Sequence, residues 1–151
     1  MHTKKKNNRA AVSLFAVIFF LAGAGQMIGQ DGAEVWKDPG TWLAWAVKDN
    51  GMEVTPAGGR SYCDALQTGG LSNWRLPTIE EAETIFDKDA KKQYRTKGTI
   101  ELSDACILTA STNPMGETWT FCFNTGSRNL GGGGGGCGTT SLALCVNGES
   151  K

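Results

Sequence analysis

The residues best suited to chemistry in this chain are its five cysteines, which are Cys63, Cys106, Cys122, Cys137 and Cys145. In an exported chain, this number predicts disulfide bonds with one thiol left over. No two of the cysteines have the C-x-x-C spacing that is typical of zinc sites and thioredoxin-like redox pairs. We therefore expect the cysteines mainly to stabilise the fold.

Histidine chemistry is missing from most of the chain, because the one histidine is His2. Without a later histidine, Ser-His-Asp catalysis, Cys-His catalysis and histidine-ligated metal sites are excluded for the rest of the sequence. Calcium needs six to eight oxygen ligands, commonly from clustered carboxylates, and no such cluster is evident. We expect no catalytic residue, no metal ligand and no cofactor.

Residues 1–24 have the pattern of a signal peptide. Lys4, Lys5, Lys6 and Arg9 precede an apolar run that closes on Ala22-Gly23-Ala24. The run is shorter than the roughly 20 apolar residues of a membrane span, which disfavours the alternative of an uncleaved anchor. We expect export with cleavage after Ala24, followed by a polar spacer over residues 25–33. The protein would then be secreted, periplasmic or at the cell surface, without a membrane span.

Loss of the leader would make the protein acidic. The whole chain has 15 basic and 15 acidic residues, and four of the basic ones lie in residues 1–24. The rest of the chain therefore has 11 basic and 15 acidic residues, a net charge of about −4. Affinity for nucleic acid comes from lysine and arginine side chains that neutralise phosphates. An acidic domain without basic clusters is therefore not expected to bind nucleic acid.

The first half of the domain predicts a β-hairpin and two helices. Residues 34–51 form the hairpin, with its turn at Asp38-Pro39-Gly40 and with tryptophans that we assign to the core, a sugar-stacking platform being the alternative. The first helix begins at Thr55-Pro56 and ends at Gly69-Gly70. Thr78 and Glu81 form a capping box for the second, whose buried face we assign to Ile79, Ala82, Ile85 and Phe86. Between the helices, Trp74 and Leu76 are expected on one side of a short extended segment and in the core.

The second half predicts strands. They cover residues 106–109, 119–123 and 139–146, with a glycine run, Gly131–Gly136, before the last one. The glycine run is either an adaptable contact loop or a connection without selective contacts. Helices early and strands late indicate an α+β domain over residues 34–147, with a polar tail over 148–151.

Three motifs in this order resemble the Lcl C-terminal domain family. They are W-x-D-P-G-x-W-L-A-W at residues 36–45, Y-C-x-x-L-x-x-G-G-x-x-x-W-R-L-P-T-x-x-E at 62–81 and A-L-C-V at 143–146. The family is named for the C-terminal domain of a collagen-like adhesin. The resemblance implies a C-type-lectin-like fold, in which two helices pack on a small antiparallel sheet with a long loop region, stapled by disulfides.

The resemblance also implies a disulfide pairing. In the fold of that family, the cysteine on the helix pairs with the last cysteine, and the two middle cysteines pair across the loop. Carried over to this sequence, the pattern implies Cys63–Cys145 and Cys122–Cys137, with Cys106 as a free thiol. Because three cysteines compete for the inner bond, Cys106–Cys137 and Cys106–Cys122 remain alternatives.

The resemblance implies that the protein is a secreted, non-catalytic binding or adhesion module for an extracellular protein or glycan. The module is expected to act either as a monomer or as an oligomer. The calcium-binding motifs of the fold are lacking, since the loop reads Thr112-Asn113-Pro114-Met115, so binding is expected to be calcium-independent. An alternative is an assembly component that uses Cys106 for an intermolecular disulfide, and an enzyme is disfavoured. The candidate ligand face consists of Trp119, Asn124, Arg128, Asn129, Thr139 and Thr140.

Overall fold

Two small antiparallel sheets and two helices make up the structure, a computed structural model that describes residues 34–131 and 140–149. The first sheet has the order β1-β2-β6 and the second has the order β3-β4-β5. The strands are β1 (Val35–Lys37), β2 (Ala44–Ala46), β3 (Cys106–Thr112), β4 (Thr118–Cys122), β5 (Ser127–Leu130) and β6 (Val146–Asn147), and the helices are α1 (Pro56–Ala65) and α2 (Ile79–Thr84). The architecture is therefore mixed α and β, with two sheets where the sequence predicted one.

Both helices begin at the predicted caps. The Thr55 hydroxyl accepts a hydrogen bond from the Gly58 N–H at 3.2 Å, and Pro56 occupies the first turn of α1. At α2, the Thr78 hydroxyl accepts from the Glu81 N–H, and the Glu81 carboxylate accepts from the Thr78 N–H at 2.8 Å. This reciprocal pair confirms the predicted capping box.

The first helix ends earlier than predicted. Leu66 has an extended backbone (φ −68°, ψ 132°), and the chain then turns tightly between Thr68 and Leu71. Gly69 and Gly70 both adopt positive φ inside that turn. The two glycines therefore shape a separate turn that follows α1 and do not cap the helix itself.

The strand that the sequence analysis missed is β5. Gly126 has a φ of +74°, and its N–H bonds to the Cys122 carbonyl at 2.7 Å, so the chain reverses after β4 and residues 127–130 pair with it. The segment Ser-Arg-Asn-Leu has no β-branched or aromatic residue, so it carries no strand signal of its own. Its structure depends on the hairpin that holds it.

The predicted closing strand, residues 139–146, is wrong as a continuous element. Only β6 is regular, and it pairs with β2 of the first sheet. Ser141 and Leu142 form isolated bridges with Val54 and Ile107. The last segment therefore connects the two sheets, because Ile107 lies on β3 and Val146 pairs with Trp45.

Two disulfides join cysteines within residues 34–131 and 140–149. Cys63 on α1 bonds Cys145 just before β6, with 5.5 Å between their Cα atoms, and this is the pairing that the resemblance implies. The second bond joins Cys106 to Cys122. The Cys122–Cys137 bridge and the free Cys106 thiol are therefore wrong, and so is an assembly role through that thiol.

The strand register explains the second bond. Cys106 on β3 lies directly opposite Cys122 on β4, with 4.0 Å between the Cα atoms. The neighbouring residues carry the ladder hydrogen bond, since the Phe123 N–H donates to the Ala105 carbonyl at 2.7 Å. Side chains of such a non-hydrogen-bonded pair approach closely, which favours a cross-strand disulfide. Cys137 lies outside the described residues.

The core has two main parts. Around α2, Ile79, Ala82 and Ile85 pack with Phe121 and Phe123, whose ring centroids are 4.9 Å apart. Around the Cys63–Cys145 bond, Trp74 and Leu76 of the extended segment before α2 are 1% and 2% exposed. The extended segment between the helices therefore belongs to the scaffold.

Trp42 departs from the core assignment. Trp45 is fully buried, whereas Trp42 is 72% exposed and has a φ of +65° at the end of the hairpin turn. The buried Asp38 carboxylate fixes this turn, because it accepts from the Gly40 N–H at 3.1 Å and from the Thr41 hydroxyl at 2.7 Å. The turn therefore holds a large side chain in a backbone conformation that suits glycine.

We expect Trp42→Gly to be more stable than Trp42→Ala by about 1 kcal/mol, because only glycine adopts this φ without strain. Urea unfolding of the two variants measures the difference. Lys37 on β1 provides the control, since at a regular strand position the alanine variant should be the more stable of the pair. If the alanine variant were more stable than the glycine variant at position 42 as well as at position 37, the strain at Trp42 would be contradicted.

Candidate functional site

The predicted ligand face is divided between the two sides of the second sheet. On β4 and β5, Phe121 is opposite Arg128 and Thr120 is opposite Asn129. Side chains alternate along a strand, so Trp119 and Arg128 share the side of Phe121, whereas Asn129 is on the other side. Trp119 packs partly against the α2 core. The ligand roles of these residues stay a prediction.

The other predicted residues are dispersed. The Asn129 amide donates to the Cys122 sulfur at 3.1 Å, and the Thr140 hydroxyl donates to the Glu53 carboxylate at 2.9 Å. Asn124 is exposed in the turn after β4, and Thr139 lies outside the described residues. The structure therefore does not bring the described members of this set together as one surface.

Arg128 is bound to helix α2. Its Nε and Nη2 donate to the two carboxylate oxygens of Glu83, each at 2.5 Å, and Glu80 lies 3.6 Å away. The hydrogen bonds from Arg128 lower the pKa of Glu83, and the same bonds raise the pKa of Arg128. The guanidinium therefore connects β5 to α2, at a partly exposed position where an ion pair contributes little stability.

We expect Arg128→Gln to raise the pKa of Glu83 towards its ordinary value, as measured by NMR titration of the side-chain carboxyl. In the unaltered protein the folded pKa is depressed, so the pair contributes stability above the unfolded pKa and loses it as the pH falls through the folded pKa. The variant should lose this part of the acid dependence. An unchanged Glu83 titration would contradict the pairing.

A cleft of about 600 Å³ lies at the open end of the β1–β2 hairpin, away from the hairpin turn. We call it the Tyr62 cleft. Its charged lining residues are Glu34, Lys48, Asp49 and Glu101. Its uncharged lining comprises Ala46, Val47, Tyr62, Leu66, Thr68 and Thr99. The volume is within the range of small-ligand pockets.

Strand pairing brings the charged residues together. Glu34 precedes β1 and Asp49 follows β2, so the antiparallel hairpin places them near one another, and the Val47 N–H bonds to the Glu34 carbonyl at 3.1 Å. Glu101 joins through a parallel bridge to Lys48. Tyr62 and Leu66 come from α1 and its C-cap, one helical turn apart.

Two of the carboxylates are held in place. The Glu34 carboxylate accepts from the Thr68 hydroxyl at 2.7 Å and from the Gly69 N–H at 2.9 Å, and these bonds lower its pKa. The Asp49 carboxylate accepts from the N–H and the hydroxyl of Ser103, both at 2.6 Å. Fixed carboxylates give the Tyr62 cleft a defined negative charge.

The pKa of the Tyr62 phenol is raised in the cleft. Burial raises its pKa, and the nearby charge of Asp49 raises it further. The ring is half-buried against the core around the Cys63–Cys145 bond. The phenol therefore stays protonated at neutral pH and presents an aromatic wall beside carboxylates.

Within residues 34–131 and 140–149, no group of three or more His, Cys, Asp or Glu side chains is arranged to hold a metal ion. No helix in the same ranges is both long enough and apolar enough to cross a membrane.

Residues 34–146 match the model of the Lcl C-terminal domain. The chain belongs to the Lcl C-terminal domain family. The match covers the Tyr62 cleft and both disulfides. Comparisons with curated proteins and with solved structures gave no match to this chain.

The Tyr62 cleft of this Lcl C-terminal domain was missed by the sequence analysis. Its residues are separated by up to 67 positions, from Glu34 to Glu101, and no local motif joins them. One signal was available, because a predicted hairpin over residues 34–51 places its first and last residues side by side. Glu34 and Asp49 could have been expected near one another on that basis, and the observed register places Glu34 opposite Val47, two residues before Asp49.

Proposed function

We propose that this protein is a secreted, non-catalytic binding module of the adhesin type that binds without calcium. The observation that carries the proposal is the family match over residues 34–146, because the Lcl C-terminal domain suggests an adhesin-like module. Export through residues 1–24 is part of the proposal, and a mature N-terminus at Gly25 is expected by mass spectrometry.

A C-type-lectin-like arrangement is proposed for the fold. Its support is the Cys63–Cys145 bond, which joins α1 to the segment just before β6. Such a bond is suited to an oxidising compartment, where disulfides form and persist. The Tyr62 cleft provides a concave surface on this scaffold where a ligand can be bound.

The test is a glycan and matrix-protein array, probed with the oxidised protein after removal of residues 1–24. We expect binding that is unchanged by EDTA, with the bound ligand recovered chemically intact. The matched control is the same protein after reduction and alkylation of its cysteines. Binding no stronger than this control would overturn the proposed function, and loss of binding in EDTA would overturn calcium independence.

A further inference from the structure

We propose that the Tyr62 cleft binds the side chain of a lysine on a protein partner. This inference deepens the proposed function and rests on it, since it names the chemical class of the ligand. The cleft offers two features that a lysine side chain needs, which are an apolar wall for its methylene groups and negative charge for its ammonium group.

The apolar wall is formed by Val47, Tyr62 and Leu66, which are half-buried, and by Ala46, which is 4% exposed. The aromatic ring adds a face that attracts cations. A side chain of four methylene groups can lie along these residues, since such stems bury their carbon atoms on apolar surface while the charged end stays in a polar environment.

The charge of the cleft favours a cation. Glu34, Asp49 and Glu101 contribute three negative charges against the one positive charge of Lys48, a net of −2. Glu34 and Asp49 are already held by hydrogen bonds, so they need not be ordered when a ligand arrives. The Glu101 carboxylate makes no side-chain hydrogen bond to the described residues and can turn towards the ammonium group.

Other ligand classes fit less well. An anionic group would meet the net negative charge of the cleft, which opposes its entry. A neutral sugar would use the Tyr62 ring and leave the three carboxylates without a cation. A lysine side chain uses both the apolar wall and the charges, and we therefore assign the cleft to it.

The first measurement is an NMR titration of the full mature protein with Nα-acetyl-lysine-N-methylamide as the probe. We expect amide shifts to concentrate at residues 46–49, 62–68 and 99–101. The matched probe is the same compound acetylated on its ε-amine, which keeps the methylene chain and removes the charge. Equal shifts with both probes, no shifts in these residues, or stronger shifts with glucosamine would each overturn the inference.

The second measurement uses three charge variants. Glu101→Gln removes a cleft carboxylate and should weaken binding of the lysine probe about three-fold, whereas Lys48→Gln should strengthen it by a similar factor. Asp89→Asn is the control, because Asp89 is an exposed carboxylate outside the cleft and its side chain is 80% exposed. Equal effects of Glu101→Gln and Asp89→Asn would overturn the inference, since binding would then follow net charge only.

The two proposals fail separately. If array binding persists unchanged in Glu101→Gln and Lys48→Gln, the protein is a binding module but the lysine assignment is wrong. If the lysine probe binds at the cleft and the array gives no signal above the reduced control, the assignment stands and the proposed adhesin-type function is overturned.

Discussion

Replacing Cys63 and Cys145 together by serine is expected to lower the free energy of unfolding by about 4–5 kcal/mol in the chain-entropy model. The bond closes a loop with a sequence separation of 82, so its loss releases a large part of the unfolded chain from constraint. Both cysteines are fully buried, and two hydroxyl groups would take their place. Since the net stability of a domain is about 5–15 kcal/mol, the variant should be close to unfolding.

The second disulfide provides the matched control for this prediction. Replacing Cys106 and Cys122 by serine opens a loop with a sequence separation of 16, which should cost about 3 kcal/mol in the same model. Urea unfolding of the oxidised proteins should therefore rank the unaltered protein first, this variant second and the Cys63/Cys145 variant last. Equal unfolding midpoints for the unaltered protein and the Cys63/Cys145 variant would refute the prediction.

The second large effect is expected from Arg75→Met, which should lower the free energy of unfolding by about 3 kcal/mol. The Arg75 guanidinium donates to both oxygens of the Glu81 carboxylate at 2.7 Å, and Glu81 is 3% exposed. The same guanidinium donates to the Gly148 carbonyl at 2.7 Å. One side chain therefore connects the segment before α2, the α2 capping box and the residue after β6.

A double-mutant cycle tests whether the pair itself carries the effect. Glu81→Gln keeps an oxygen that can accept from the Thr78 N–H, and it removes the buried charge. We expect Arg75→Met/Glu81→Gln to be less destabilised than the sum of the two single variants, by about 1–3 kcal/mol. An additive double variant would contradict the coupling.

An exposed pair is the control for the cycle. The Lys88 and Asp89 side chains are 79% and 80% exposed and 3.7 Å apart, so Lys88→Met should change the free energy of unfolding by less than about 0.5 kcal/mol. Arg75→Met is expected to be more destabilising than Lys88→Met because Glu81 is buried. In Arg75→Met, the Glu81 carboxylate would be left in the protein interior without its guanidinium partner.

Local features of this protein were predictable from the sequence. The Thr55 cap, the Thr78–Glu81 capping box and the Asp38 turn each depend on residues within about four positions, so their chemistry can be read directly. The buried segment with Trp74 and Leu76 was also assigned correctly. The motifs of residues 36–45, 62–81 and 143–146 predicted the family, which the match over residues 34–146 confirms.

The predicted ligand residues do not form one surface among the described residues, and their ligand roles stay a prediction. Arg128 is one of the predicted ligand residues, and its guanidinium is bonded to Glu83 on α2. The sequence gives no sign of this contact, since the two residues are 45 positions apart. The Tyr62 cleft, in contrast, contains residues that look like ordinary surface charges until the hairpin, α1 and Glu101 are placed together.

The sequence by itself determined where the helices begin, which residues enter the core around α2 and the Cys63–Cys145 bond, and which family the chain resembles. Only the tertiary structure decided that Cys106 bonds Cys122, that the last segment connects two sheets, and that Glu34, Asp49 and Glu101 line one cleft. The physical reason is the range of the interactions. Caps and turns are set by neighbouring residues, whereas disulfide choice, strand order and the cleft depend on which distant strands pair and in which register.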